Sequence, residues 1–129
     1  MTYSWNYLIK YHFNPPTNTY LKRNTQIQKS YDKYNKTQQF ENFKENMFSN
    51  KNKHFNFMLN NFPYDTDKNI SHYLIFINPL IKNKISDFDI YKIIRQNYIK
   101  KKPIIIFENK PKNRSIKNIR HYHIFTLNN

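Results

Sequence analysis

Apolar and polar positions along the chain change period several times, and each change marks an element. Between residues 24 and 48 the apolar positions include Ile27, Tyr31 and Tyr34, followed one phase later by Phe40, Phe43 and Met47. Spacings of three and four residues gather side chains on one helical face. The slip between the two sets predicts a long aromatic helix with a break or kink near Lys36–Gln38. Asn24 or Thr25 can cap its start. His54–Leu59 alternates and suits a strand or a short helix. Phe62-Pro63-Tyr64-Asp65 reads as a loop. His72–Asn78 is a continuous apolar run too short for a helix, so it predicts a buried strand that Pro79 ends.

A second helix is predicted over 86–99. Ser86 and Asp89 stand in capping-box positions, and Ile90, Ile93, Ile94 and Tyr98 form its apolar stripe. Lys100–Lys102 suit the negative end of the helix dipole, and Pro103 stops the helix. Ile104–Phe107 and Arg120–Leu127 read as two more strands, paired antiparallel through a loop over 109–119. The expected fold is α+β: a small antiparallel sheet, a long N-terminal aromatic helix and a second helix at about 86–99. Residues 1–22 read as an irregular N-terminal segment. Pro15-Pro16 breaks any helix there, and alternating aromatics would allow a short strand around 5–11. Residues 23–129 then form a single domain.

Composition alters this picture in three ways. The chain of 129 residues carries a net charge of +14, which suits a polyanionic partner. It also lacks Gly, Ala, Val and Cys and is rich in Lys, Asn, Ile, Tyr and Phe. Those residues have AT-rich codons, so a skewed genome, such as that of a large DNA virus, accounts for much of the charge. Without cysteine there is neither a disulfide nor a cysteine-based zinc site, which fits a reducing, cytoplasmic setting. No apolar stretch approaches the length of a membrane span and no signal peptide is evident, so no membrane association is expected.

The candidate chemistry gathers near the end of the chain. On a strand, residues two apart face the same side, so His121 and His123 present two imidazoles together. Imidazole suits proton transfer, phosphoryl attack or metal ligation near neutral pH. Arg114 and Ser115 in the preceding loop are candidate phosphate contacts, the arginine through its planar fork. Asn109 could orient a ligand or a histidine, or simply form a turn. His72 opens a buried strand and reads as a hydrogen-bonded structural histidine or a ligand contact. A metal site would need a third ligand from His72, His54 or Glu108, and no spacing selects one, so neither a metal nor any other cofactor is expected. Tyr64 is a candidate stacking surface. The interleaved lysines and tyrosines could serve nucleic acid, although no recognised nucleic-acid module is present.

Several pieces together resemble a family of unknown function found in fungi, bacteria and large DNA viruses, whose fungal members are called N-acetylglucosamine-induced proteins. The pieces are Leu21-Lys22-Arg23, the aromatic helix with Tyr31 and Tyr34, Phe62-Pro63-Tyr64, Ile70-Ser71-His72, and Phe107-Glu108-Asn109-Lys110-Pro111 leading to Arg114-Ser115-Ile116 and His121-Tyr122-His123. The chain departs from the family pattern in having Lys110 between Asn109 and Pro111. More distantly, the order Pro63, His72 to Pro79, helix, Asn109, Ser115-Ile116, His121 and His123 is similar to that of the histidine-triad nucleotide hydrolases. That resemblance implies His123 as nucleophile with Ser115 and Asn109 holding it, but Phe125 stands where the third histidine would be.

These readings converge on a protein that binds, and hydrolyses or transfers, a phosphorylated small molecule such as a nucleotide or sugar nucleotide. His121 and His123 would be catalytic, and Asn109, Arg114, Ser115 and His72 would bind the ligand. The alternative is a non-catalytic basic binding or host-interaction protein, with nucleic acid among its candidate partners. The oligomeric state is open.

Overall fold

The computed structural model describes residues 2–17, 20–81, 83–109 and 119–129. Four strands form one antiparallel sheet: β1 (Phe55–Leu59), β2 (Ile70–Ile77), β3 (Ile104–Glu108) and β4 (His121–Leu127). Their order across the sheet is β1-β2-β4-β3. The last strand is therefore inserted between the two that precede it, beside both the first long strand and its expected hairpin partner. Layers of helix cover the two faces.

One face is packed by helix α4 (Asp87–Asn97). Its Ile90 and Ile94 meet Ile75, Ile77, Ile104, Ile106, Tyr122 and Ile124 of the sheet. The predicted capping box is present: Asp89 N–H donates to Ser86 Oγ at 3.1 Å, and Ser86 N–H donates to Asp89 Oδ2 at 2.9 Å. Asp87, in the first turn, accepts a hydrogen bond from the Tyr122 hydroxyl at 2.5 Å. Arg120 pairs with Glu108 through two N–H donors, at 2.8 and 3.0 Å, which ties β4 to β3 at the end where the histidines begin.

The other face is covered by the N-terminal third. The long aromatic helix is two helices, α2 (Thr25–Tyr34) and α3 (Gln38–Asn46). The break falls at 35–37, where the phase slip predicted it. Thr37 holds the corner: its hydroxyl donates to Tyr34 O at 2.6 Å and accepts from Phe40 N–H at 3.2 Å. Asn24 caps α2 by accepting from Ile27 N–H at 2.8 Å. Phe40, Met47 and Phe76 form the core under α3.

Residues 1–22 differ from expectation. In place of a strand around 5–11 there is a helical turn, α1 (Trp5–Leu8), continued as a 3-10 turn over Ile9–Tyr11. The turn starts because Ser4 accepts the Tyr7 N–H at 3.1 Å, and four residues are too few to show a period. This segment is not peripheral, because Leu8 is fully buried with Leu21, Tyr64, Ile105, Phe107 and Phe125. Tyr3 is laced to the 64–67 loop by Tyr3 N–H to Asp65 O at 2.7 Å and Asp67 N–H to Tyr3 O at 2.9 Å. Among the described residues no helix is long and apolar enough to cross a membrane.

Candidate functional site

Strand register decides which side chains meet. Across the sheet, Phe107, His123, Leu74 and Met58 form one row, and Ile105, Phe125 and His72 form the next. His121 lies opposite Phe76 one row further on. All these residues point away from α4, so His121, His123 and His72 share the face beneath α2 and α3. The pair expected from the sequence is thus joined by a third imidazole from β2. It stands beside Phe125, with ring centroids 4.4 Å apart.

His72 and His123 are both buried and bonded to each other, with His72 Nε2 2.9 Å from His123 Nδ1. The direction of the bond follows from the backbone. Tyr64 N–H donates to His72 Nδ1 at 3.2 Å, and a peptide N–H cannot reverse its role. Neutral His72 must therefore carry its hydrogen on Nε2 and donate it to His123 Nδ1. His123 in turn carries its hydrogen on Nε2, which faces the side-chain amide of Asn109 at 3.0 Å. The Asn109 amide also lies 3.3 Å from the Tyr64 hydroxyl. An Nε2–H on His123 needs an acceptor, and the amide oxygen of Asn109 can supply it. The result is a directed chain: Tyr64 N–H, His72, His123, Asn109.

Burial sets the charge of this chain. Desolvation pushes His72 down to about 3, and repulsion from the Arg23 charge and from a proton on His121 acts in the same direction. It also holds His123 well below the usual histidine range, with His72, His121 and Arg23 adding to the effect. Both rings are neutral at physiological pH. Burial pushes the Tyr64 hydroxyl upward, so it too stays protonated. His121 differs in its partner, with Nδ1 3.3 Å from Ile119 O. A carbonyl only accepts, so Nδ1 carries a hydrogen.

A cavity of about 420 Å³ opens between this sheet face and the helices. His121, His123 and Asn109 form part of its floor, with Met58, Leu74 and Phe76. Tyr31 and Tyr34 of α2, Phe40 and Phe43 of α3, and Phe62 and Tyr64 supply aromatic walls. Arg23 is the charged group best fixed in place. Its Nε donates to Phe62 O at 2.7 Å, and its guanidinium lies 3.8 Å from the Tyr31 ring centroid. Lys22 also lines the cavity, and among the described residues no Asp or Glu does. The volume and the mixture of aromatic walls with a few polar groups are those of a small-molecule site.

The expected site residues divide accordingly. His121, His123 and Asn109 come together at the cavity. His72 lies behind them, bonded to His123 and absent from the cavity lining. Arg114 and Ser115 fall outside the described residues. Among the described residues no group of three His, Asp or Glu side chains could hold a metal ion. Sequence reasoning missed Arg23, Asn60 and Asn35 as lining groups. A signal for Arg23 was available: only four arginines occur in this lysine-rich chain, so each merits the attention given to Arg114. For the two asparagines there was none, because asparagine is too common here to stand out.

Residues 3–127 match the model of a family described as a protein of unknown function, DUF3605. No curated protein matches the chain. Among solved structures, the crystal structure of HTC1 is similar at 15% identity and a TM-score of 0.53. The match covers 83% of this chain and 76% of that one, and at such identity the likeness is one of fold alone.

Proposed function

The chain belongs to the DUF3605 family, and from its cavity we propose that it binds a phosphate-bearing small molecule, such as a nucleotide or sugar nucleotide. The observation that carries this reading is the cavity lining, which among the described residues has cations at Lys22 and Arg23, no carboxylate, and aromatic walls. The cations attract an anion, and Arg23 can offer its remaining N–H groups while Phe62 O holds Nε in place. The aromatic rings take up the planar or apolar body of the ligand. The resemblance to N-acetylglucosamine-induced proteins puts sugar nucleotides among the ligands to try.

Binding is favoured over phosphoryl attack by His123. A nucleophilic imidazole needs a lone pair directed at the substrate. In His123 the Nδ1 lone pair accepts from His72, and Nε2 carries the hydrogen facing Asn109. In this reading His123 is a neutral donor-bearing wall of the cavity. His121, whose Nδ1 faces Ile119 O, is the group to test for proton transfer.

The test is a thermal-shift series with nucleoside monophosphates, nucleoside diphosphate sugars and sugar phosphates, on the native chain and on Arg23→Ala. A ligand at a hundred times its Kd adds about 2.7 kcal/mol of stability. A shift in the native protein that disappears in a folded Arg23→Ala supports the reading. No shift with any ligand, in a folded native protein, overturns it and favours a basic interaction protein.

A further inference from the structure

Where α4 meets the N-terminal segment, the surface carries rings that the core does not absorb. Phe88 is 58% exposed and Phe13 is 38% exposed. Both stand beside the half-buried Tyr91. Phe88 and Tyr91 lie one helical turn apart with nearly parallel planes and centroids 6.3 Å apart. Phe13 meets Tyr91 edge-on at 5.9 Å. Single exposed apolar residues are normal on a surface, whereas a contiguous group marks an interaction site. Phe13 is also held in an unusual backbone conformation. Its φ of 58° is the one positive value among the described residues. A Cβ makes that region costly, and asparagine, abundant in this chain, takes it more readily. Two bonds to the edge strand β3 fix the turn. Phe13 N–H donates to Ile106 O at 2.8 Å, and Ile106 N–H donates to His12 Nδ1 at 3.0 Å. Strain of this kind gathers at functional sites.

Cations border these rings step by step along α4. Lys92 Nζ lies 5.2 Å from the Phe88 ring centroid, and the Arg95 guanidinium lies 5.3 Å from that of Tyr91. Arg95 Nη1 donates to Lys102 O at 2.6 Å, which ties the exposed Lys100–Lys102 run to the same side. Among the described residues neither Lys92 nor Lys102 forms an ion pair. The carboxylates of the first turn of α4 are engaged elsewhere: Asp87 accepts from the Tyr122 hydroxyl, and Asp89 closes the capping box.

We propose that this surface binds single-stranded nucleic acid, with bases stacked on Phe13 and Phe88 and phosphates paired with Lys92 and the Lys100–Lys102 run. Charge complementarity selects a polyanion, since the chain carries +14 and the bordering lysines lack carboxylate partners. The rings select its kind. A single strand offers flat base faces beside its phosphates, whereas a duplex turns those faces inward. An acidic peptide would satisfy the lysines and leave the rings without planar partners. The surface lies beside α4, and the cavity opens on the opposite face of the sheet, so the inference stands apart from the small-molecule reading.

The test is fluorescence anisotropy with short labelled oligothymidine and oligouridine strands, a DNA duplex of the same length, and polyglutamate as competitor, at 50 and 200 mM salt. The native chain is compared with Phe88→Ala, Phe13→Asn, Lys92→Gln and Lys29→Gln. Phe13→Asn removes the ring and keeps a residue that tolerates positive φ. Lys29→Gln removes the same charge from α2, over the opposite sheet face. Thermal unfolding checks that each variant is folded. The expected result is binding of a single strand that weakens about tenfold in Phe88→Ala and in Phe13→Asn. Lys92→Gln should also lower the slope of log affinity against log salt by about 0.7, the loss of one phosphate contact. Lys29→Gln should leave both affinity and slope unchanged. Binding of neither single strand at 50 mM salt overturns the inference. So does tighter binding of the duplex, or displacement of the strand by polyglutamate at equal charge. Loss of affinity in Lys29→Gln equal to that in Lys92→Gln, with no effect of removing either ring, overturns it in favour of charge spread over the whole surface.

Discussion

At the scale of single residues, the His72–His123 pair joins fold and site. Two neutral imidazoles in a directed hydrogen-bond chain give the sheet face its polar row without burying a charge. The cost appears in acid. Each ring has a folded-state pKa below the ordinary 6.5, so the unfolded chain binds protons first as pH falls. Stability is therefore complete above pH 6.5 and is lost below it, over a window that extends for His72 down to about 3. Each histidine contributes a slope of about 1.4 kcal/mol per pH unit, so the pair gives roughly 2.7. Urea denaturation between pH 7.5 and 5 should show this decline, and His72→Gln should reduce its slope by about half. A flat profile would mean that the pair is not buried and neutral. His123 was identified in the sequence as a candidate catalytic group and His72 as a candidate ligand contact. The bond between them was not legible, because they lie 51 positions apart and only strand register brings the rings together.

At the scale of elements, hydrophobic period and cap chemistry agree. α4 runs from its capping box to Asn97, three residues before the basic cluster at Lys100–Lys102, and β2, β3 and β4 lie where the apolar runs placed them. The corner between α2 and α3 depends on Thr37, whose hydroxyl ends one helix and starts the next. Thr37→Ala should cost about 1 kcal/mol by loss of the cap. Equilibrium unfolding would show it as a lower midpoint with an unchanged slope. Because the same corner presents Tyr34, Asn35 and Phe40 to the cavity, Thr37→Ala should also weaken any ligand that the native protein binds. Unchanged stability would show that water replaces the hydroxyl at no cost. The N-terminal turn was not legible, since a four-residue helix started by Ser4 has no periodic signature.

At the scale of the whole molecule, the chain wraps its first third over the sheet face opposite α4, and the cavity exists because of that wrapping. Leu8 is the anchor, fully buried among residues from β2, β3 and β4. Leu8→Ala should cost about 2–5 kcal/mol, the range for a buried leucine truncated in a closely packed core. A measured loss below about 1 kcal/mol would show that residues 1–22 are dispensable cover. The net charge of +14 is spread over much of the chain, whereas among the described residues Lys22 and Arg23 are the cations that line the cavity. Small-ligand affinity should then fall only modestly between 50 and 200 mM salt. Nucleic acid contacting many lysines would lose several orders of magnitude over that range.

Local chemistry along the chain is sufficient to determine the class of fold, most element positions, the α4 capping box and the placing of two histidines on one strand face. Those properties depend on neighbours within a few residues, where period, caps and prolines act. Strand order, the third imidazole, the neutral charge of the pair and the cavity with Arg23 and Asn35 were decided by tertiary structure. Each depends on which distant segments pack together, and on the water their packing excludes. Register between β2 and β4 sets His72 against His123, and the docking of residues 20–48 over them encloses the site.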